Sequence, residues 1–323
     1  FHDPSYYFKK QLFATALGLL CLYVVAHMDY HWILKWAPLF YVGSLILSGL
    51  VLVIGDEYNG SKRWLSLGPL SFQPAEFAKV AVILFLTFLI CRTRKKRRSG
   101  GIVFAGKILL CILPIVGLVG TNNLSTAVII LGIAILLIFV SNPKYLQFVW
   151  MGVLGIGFAG IFLSLESYRL ERLAVWRDPE AYDKGFQTIQ GLYAIGSGGI
   201  FGTGLGSSVQ KLGFVPEAQN DMIFSIICEE LGLLGAIATI AIFALMIWRL
   251  RHIAMHAADY EGLLIAGGIL IHIAIQVILN IAVVTNTIPN TGITLPFISY
   301  GGTSVLFLLG EMGLALSVSR QCR

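Results

Sequence analysis

Long apolar segments recur along the whole chain and constrain its fold more than any other feature. A helix of about 20 mostly apolar residues crosses the hydrocarbon core of a bilayer. The chain has 57% hydrophobic and only 12% charged residues. A water-soluble fold could not hide that much apolar surface from water. We predict an all-α polytopic membrane protein, a single domain over residues 1–323 with nine transmembrane helices. The predicted helices span about residues 11–27, 36–55, 74–91, 102–119, 124–140, 145–165, 222–248, 262–285 and 303–319.

The positive charges predict how the helices are oriented. Six cations lie between Arg92 and Arg98, directly after an apolar segment, where the positive-inside rule expects a cytoplasmic loop. The predicted loops that carry Lys35, Lys144, Arg249 and Arg251 then fall on the same side. With nine helices the two ends of the chain lie on opposite sides of the membrane. Because the loop from Arg92 to Arg98 is cytoplasmic, residue 1 falls outside, and we expect an earlier crossing helix to be missing from the chain.

Three predicted outer segments carry most of the glycines, prolines and charges. They cover residues 56–73, 166–221 and 286–302, and the middle one forms a large extracytoplasmic loop. Within it, Gly198, Gly199, Gly202, Gly204 and Gly206 predict either a sharp bend or a close approach to the backbone. We expect the chemistry of the protein to reside in these segments.

Asp221 is the first candidate for that chemistry. It precedes a predicted crossing helix, where an outer loop meets the membrane surface, and a base there could meet a lipid headgroup. Aspartate is also an ordinary residue at a helix N-cap. Both interpretations stay open at this point, and they do not exclude each other.

Charges at the other outer segment form a second candidate group. Glu76 and Lys79 lie three residues apart on one helical face, and a glutamate in a first turn is favourable with the helix dipole. Lys79 opposes that dipole and needs an anionic partner, which is Glu76, Asp221 or a substrate phosphate. Arg63 is either a solvated loop residue or a bidentate ligand for a diphosphate.

Several polar side chains fall inside predicted crossing helices. Polar groups in a membrane mark functional sites or hydrogen bonds between helices, and the sequence leaves both interpretations open. Glu311 has no partner that the sequence identifies. The group consists of Glu229, Glu230, His272, Gln276, Asn280 and Glu311.

Six motifs, in order, resemble the SEDS family of RodA, FtsW and SpoVE. They are Arg63-Trp64-Leu65, the stretch Gln73 to Lys79, the glycine run Ala194 to Gly206, Pro216-Glu217 with Asn220-Asp221, Glu229-Glu230-Leu231-Gly232, and the stretch Thr291 to Gly302. Two places depart from the family pattern. Thr121 to Ala127 lacks a carboxylate that the family often has, and Asn220 stands where a threonine is frequent.

The resemblance implies ten transmembrane helices, the first of them missing here. It also implies a peptidoglycan glycosyltransferase that polymerises lipid II on the outer face of the bacterial cytoplasmic membrane, together with a class B penicillin-binding protein. The family's essential aspartate corresponds to Asp221. No organic cofactor is expected, and a divalent cation, Mg²⁺ or Mn²⁺, is an open alternative for neutralising the leaving group.

An α-linked diphosphate donor and a β-linked product require one inverting displacement with a single general base. We assign Asp221 as that base. Arg63, Lys79 or the divalent cation neutralises the leaving diphosphate. Glu76 and Glu217 orient these groups. The alternative function is a lipid II transporter whose polar pathway uses the intramembrane carboxylates and the His272 face. A third interpretation is a scaffold that only recruits a penicillin-binding protein, but it leaves the charged outer cluster unexplained.

Overall fold

The protein is mostly helical in the computed structural model, which describes residues 4–58, 61–67, 70–94, 101–142, 145–164 and 167–322. The helices of the first part of the chain are α1 (Pro4–His27), α2 (Tyr30–Lys35), α3 (Ala37–Ile54), α4 (Pro74–Arg94), α5 (Gly101–Asn122), α6 (Leu124–Ser141) and α7 (Tyr145–Ser164). Those that follow are α8 (Ser167–Arg177), α9 (Phe186–Ser197), α10 (Ile223–Met255), α11 (Tyr260–Val284) and α12 (Gly302–Arg320).

All nine predicted crossing segments form helices. Among the described residues, eight helices are long and apolar enough to span a bilayer, namely α1, α3, α4, α5, α6, α10, α11 and α12. The ninth, α7, has a shorter described apolar stretch, Phe148–Gly157, so the count of nine is approximate. Lys95 to Arg98 and Lys144, on which the predicted orientation partly depends, lie outside the described residues.

A small antiparallel sheet interrupts the helical pattern between α3 and α4. Its strands are β1 (Asp56–Tyr58), β2 (Ser61–Leu67) and β3 (Leu70–Phe72), in the order β1-β2-β3. Asp56 pairs with Trp64, and Leu65 pairs with Phe72. The sequence predicts only an outer loop here, because two of the three strands have three residues each, which is too short an alternation to be recognised.

The chain divides into two compact units. Unit 1 contains Phe1–Ala159, Arg249–His272 and Gly301–Arg323, and unit 2 contains Gly160–Trp248 and Ile273–Tyr300. Within unit 1, α4 contacts α3, α6 and α12, and α1 lies along α12. Pro74 at the first position of α4 and Glu76 in its first turn suit a helix start. The prediction of one domain over the whole chain stays a prediction.

An interrupted helix is the main feature of unit 2. Gly232, inside α10, has φ 66° and ψ −161°, which breaks the helical hydrogen bonding at that point. The glycine run fills the gap with its own backbone. Four hydrogen bonds join the two segments: Thr203 N to Glu229 O (2.9 Å), Gly204 N to Glu230 O (3.0 Å), Leu233 N to Gly199 O (2.9 Å) and Leu234 N to Ile200 O (3.2 Å).

This exchange requires two backbones to approach without side chains between them. A Cβ atom on Gly202 would lie 2.1 Å from the carbonyl oxygen of Glu230, and one on Gly232 would lie 2.4 Å from the amide nitrogen of Gly202. Both predicted reasons for the glycine run are therefore confirmed, since these glycines bend the chain and admit another backbone.

Candidate active site

Asp221 lies at the end of an irregular turn that leads into α10. Its neighbour Glu217 adopts a left-handed backbone conformation with φ 53°. The turn closes where Asn220 N donates to Glu217 O at 2.9 Å, and the Asn220 side chain donates to the Glu217 carboxylate. The helix itself begins two residues later, at Ile223.

The Asp221 side chain is buried and weakly paired. The residue is 8% exposed, and its carboxylate accepts hydrogen bonds from Gln187 Nε2 at 3.4 and 3.5 Å. These distances lie beyond the usual range for N–H···O bonds. None of the ion pairs among the described residues includes Asp221.

Burial raises the pKa of Asp221 from 3.8 to about 6, because the charged form loses its hydration. A hydrogen bond from its own backbone lowers this pKa, and the negative charge of Glu217 raises it. The Gln187 hydrogen bond and the positive charge of Arg172 lower it to a smaller extent. The catalytic role of Asp221 stays a prediction.

The backbone around Asp221 is held more firmly than its side chain. Three successive carbonyl oxygens accept hydrogen bonds from the segment that includes the end of α11 and the loop after it. The bonds run from Tyr300 N to Gln219 O (2.8 Å), from Ser299 Oγ to Asn220 O (2.6 Å) and from Asn280 Nδ2 to Asp221 O (2.9 Å).

Glu76 and Lys79, in unit 1, form a buried ion pair. Lys79 Nζ lies 2.9 Å from Glu76 Oε1, and the two side chains are only 2% and 8% exposed. Glu76 also lies within hydrogen-bonding reach of Ser304. Of the partners proposed for Lys79, the geometry shows Glu76.

The buried histidine and the last intramembrane carboxylate also pair. His272 Nδ1 lies 2.8 Å from Glu311 Oε2, and both side chains are almost fully buried. This contact identifies the partner of Glu311 that the sequence does not reveal. In unit 2, Gln276 Nε2 donates to Thr294 O at 3.1 Å. This bond fits the interpretation that the polar residues of this helix face stabilise the packing through hydrogen bonds.

Arg63 is a tethered residue of β2 and not a freely solvated one. Its Nε donates to Asn122 O at 2.9 Å, and Asn122 Nδ2 donates to Lys62 O at 2.6 Å. Asn123 caps α6 by accepting from Thr126 N at 3.1 Å. The two asparagines that replace the family's usual residues therefore support the arginine strand and a helix end.

The two glutamates beside the helix break hold the preceding loop. Glu229 accepts from Val209 N at 3.0 Å and from the Ser208 hydroxyl, and it is 3% exposed. Glu230 forms an ion pair with Lys211. Both carboxylates are thus engaged by the loop, which favours the structural interpretation over an open polar pathway.

The five predicted site residues divide between the units. Asp221 and Glu217 belong to unit 2, while Arg63, Glu76 and Lys79 belong to unit 1. Sequence reasoning missed Gln187, a half-buried residue in the first turn of α9. A glutamine in an amphipathic segment carries no signal of its own, and only tertiary structure brings it to the carboxylate.

No cluster of three or more histidine, cysteine, aspartate or glutamate side chains suited to a metal ion exists within the described part of the chain. Mg²⁺ is usually held by one or two carboxylates together with substrate phosphates and water. The residues described here therefore do not form a preassembled metal cage, and the predicted divalent cation stays a prediction.

A bundle of apolar helices that buries a weakly paired loop carboxylate beside an interrupted helix defines a multi-pass membrane protein with a polar site. A family model described as "Cell cycle protein", for FtsW, RodA and SpoVE, matches residues 1–323. The chain belongs to this family.

Relatives and solved structures agree with that assignment. Stage V sporulation protein E of Bacillus subtilis is 39% identical, with 100% of this chain and 89% of that protein covered. A probable peptidoglycan glycosyltransferase FtsW of Geobacter is 35% identical, with 100% and 89% covered. The crystal structure of the Thermus thermophilus rod shape determining protein RodA matches with a TM-score of 0.72 and 28% identity, covering 98% of this chain and 88% of that one.

A second solved structure concerns an assembly. It is a structure of a peptidoglycan synthase complex that coordinates polymerisation and crosslinking. It matches with a TM-score of 0.82 and 28% identity, covering 98% of this chain and 90% of the matched chain.

Proposed function

We propose that this chain is a peptidoglycan glycosyltransferase that polymerises lipid II at the outer face of the bacterial cytoplasmic membrane. The observation that carries the proposal is the Asp221 carboxylate, which is buried, has a pKa of about 6 and has no ion-pair partner among the described residues. Relatives that are named as peptidoglycan glycosyltransferases support it. A buried carboxylate that is weakly paired and whose pKa is raised is typical of a catalytic base.

The reaction that we propose is one inverting displacement. Asp221 accepts the proton of the acceptor GlcNAc 4-hydroxyl while that oxygen forms a bond to the anomeric carbon of the donor sugar. The bond from this carbon to the lipid diphosphate breaks, and the diphosphate leaves with the bonding electrons. At neutral pH a carboxyl group with a pKa of about 6 is mostly ionised, and it is a stronger base than an ordinary aspartate.

The departing diphosphate needs positive charge, and Arg63, Lys79 or a divalent cation are the candidates. Arg63 is held by the hydrogen bond from its Nε to the carbonyl oxygen of Asn122, and this bond fixes the direction of the side chain. Lys79 already neutralises Glu76, so Glu76 holds the ammonium in place and reduces the positive charge that it offers. Glu217 is proposed to tune Asp221 through its negative charge.

We further propose that the protein acts with a class B penicillin-binding protein that crosslinks the new strands. The similarity to a chain of a peptidoglycan synthase complex supports this partnership. The transporter alternative has less support, because the carboxylates proposed to line a polar pathway form hydrogen bonds or ion pairs with other residues of the protein. Glu229 and Glu230 bind the loop at residues 208–211, and Glu311 binds His272.

Polymerisation of labelled lipid II by the purified protein, with and without the cognate partner, tests the proposal. We expect glycan strands from the wild type and a loss of about 10²-fold or more for Asp221→Asn, as for removal of a general base. Asp178→Asn is the matched control, since Asp178 is an exposed aspartate of the same predicted loop. Unchanged polymerisation by Asp221→Asn would refute the assignment of the base. Translocation of lipid II in vesicles without any polymer would favour the transporter.

A further inference from the structure

The stretch from Thr291 to Gly302 is a sequence motif to which the proposed chemistry gives no role. Its end contacts the turn that carries Asp221. Tyr300 N and Ser299 Oγ donate to two carbonyls of the turn, and Asn280 from α11 donates to the third. Three donors therefore meet three successive acceptors, at Gln219, Asn220 and Asp221.

Two of these donors are side chains that also bind the motif itself. Asn280 is fully buried, and its Nδ2 donates to Ile293 O at 2.7 Å as well as to Asp221 O. Ser299 is 4% exposed, and its Oγ accepts from Leu295 N at 2.7 Å while it donates to Asn220 O. Each side chain thus links the turn to a second backbone segment.

Both linked segments contain a residue in an unfavourable backbone conformation. Glu217 in the turn has φ 53°, and Phe297 in the motif has φ 64°. Left-handed conformations of residues other than glycine persist only where the surroundings hold them. Around Phe297, Ile298 N donates to Pro296 O at 2.8 Å and Ser299 N donates to Leu295 O at 3.1 Å, which directs the serine hydroxyl towards the turn.

The Asp221 carboxylate gains little orientation from other side chains, because Gln187 lies 3.4 to 3.5 Å away. Its other hydrogen bond comes from the backbone of Asp221 itself. The orientation of the carboxylate therefore depends on the position of the Asp221 backbone. A catalytic group has to be held within about 0.5 Å of its productive position, and a displacement of about 1 Å reduces the rate about 10²-fold.

We propose that Asn280 and Ser299 are positioning residues that orient Asp221 by holding the carbonyls of residues 220 and 221. Both side chains are buried, at 0% and 4% exposure, so the role that we assign to them does not require contact with the substrate. The inference rests on the proposed function, since it assumes that Asp221 is the base.

Steady-state polymerisation of lipid II by Asn280→Leu and Ser299→Ala provides the first test. Each change removes a donor, and we expect kcat to fall about 10- to 100-fold with KM within about 2-fold of the wild type. Ser299→Thr keeps the hydroxyl and should recover at least a third of the wild-type rate. Gln276→Leu is the matched control, because Gln276 is buried on the same helix and binds Thr294 of the same motif. Its rate should stay within about 2-fold of the wild type.

A double-mutant cycle separates positioning from general damage to the fold. In an Asp221→Asn background, Asn280→Leu should cause less than a 2-fold further loss, because the group that it positions is already gone. A structural defect would reduce the residual activity of Asp221→Asn by the same factor as it reduces that of the wild type.

The outcomes distinguish the inference from the proposed function. If Asp221→Asn polymerises like the wild type, the proposed base is wrong and the inference falls with it. If Asp221→Asn loses about 10²-fold or more but Asn280→Leu and Ser299→Ala keep wild-type kcat, only the positioning role is overturned. A loss in Asn280→Leu that multiplies with that of Asp221→Asn also overturns it.

Discussion

Unit 1 and unit 2 both bury charged side chains, but they treat them differently. In unit 1, Lys79 pairs with Glu76 at 2.9 Å and His272 pairs with Glu311 at 2.8 Å. In unit 2, Asp221 is also buried, at 8% exposure, yet none of the ion pairs among the described residues includes it, and the Gln187 amide lies 3.4 and 3.5 Å from its carboxylate. The difference teaches that a buried charge by itself does not indicate chemistry. A buried carboxylate without an ion-pair partner is the stronger candidate for a catalytic group.

The largest effect that we expect comes from breaking the unit 1 ion pair. Lys79→Met leaves the Glu76 carboxylate buried without its cation, which should lower the free energy of unfolding by about 3–5 kcal/mol. Adding Glu76→Gln should recover most of this loss, because no uncompensated charge remains. Thermal or denaturant unfolding in detergent measures both variants.

Lys211→Met is the matched control for that comparison. Lys211 pairs with Glu230, but its side chain is 32% exposed, so its loss should cost no more than about 1 kcal/mol. Equal losses for Lys79→Met and Lys211→Met would show that burial does not set the strength of these pairs.

Asp221→Asn should have the opposite effect on stability. The folded pKa of about 6 lies above the ordinary value of 3.8, so the folded state binds this proton more tightly than the unfolded state does. The ionised carboxylate therefore lowers stability above pH 6, by up to about 3 kcal/mol. We expect Asp221→Asn to unfold at a higher temperature than the wild type at pH 8, and this gain should shrink as the pH falls through 6 towards 4. A gain that does not depend on pH would contradict the link to ionisation.

The smallest effect concerns the pH dependence of polymerisation. Glu217 raises the pKa of Asp221 and Arg172 lowers it, so replacing each should move the acidic limb of the pH–rate profile in opposite directions. Glu217→Gln should move the limb to lower pH, and Arg172→Gln should move it to higher pH. Rates measured from pH 5 to 8 decide this, and a shift of both variants in the same direction would contradict the assignment.

The sequence predicts the elements of this fold better than their internal breaks. Every long apolar run became a helix, since bilayer thickness imposes that length. The run through α10 is apolar on both sides of Gly232, so its hydrophobicity hides the interruption. The short strands of residues 56–72 are missed for a similar reason, because their pattern is too brief.

The sequence indicates candidate site residues, but it does not indicate how they pair. Asp221 stands out because it joins a loop to a crossing helix, and Lys79 because a cation opposes the helix dipole. Which anion satisfies Lys79, and that Gln187 is the neighbour of Asp221, depend on how the chain packs. From the sequence, Asn280 is likewise interpreted as a residue that forms hydrogen bonds between helices. Only the structure shows that it binds the carbonyl oxygen of Asp221.

The backbone exchange at Gly232 has a consequence for the order of folding. The glycine loop is synthesised before the helix segment with which it shares four hydrogen bonds, and buried backbone groups of this kind are costly to leave unpaired. The loop and the two halves of α10 must therefore complete their backbone pairing together. This part of the chain therefore reaches its final state as one cooperative unit, because neither half of the pairing is complete without the other.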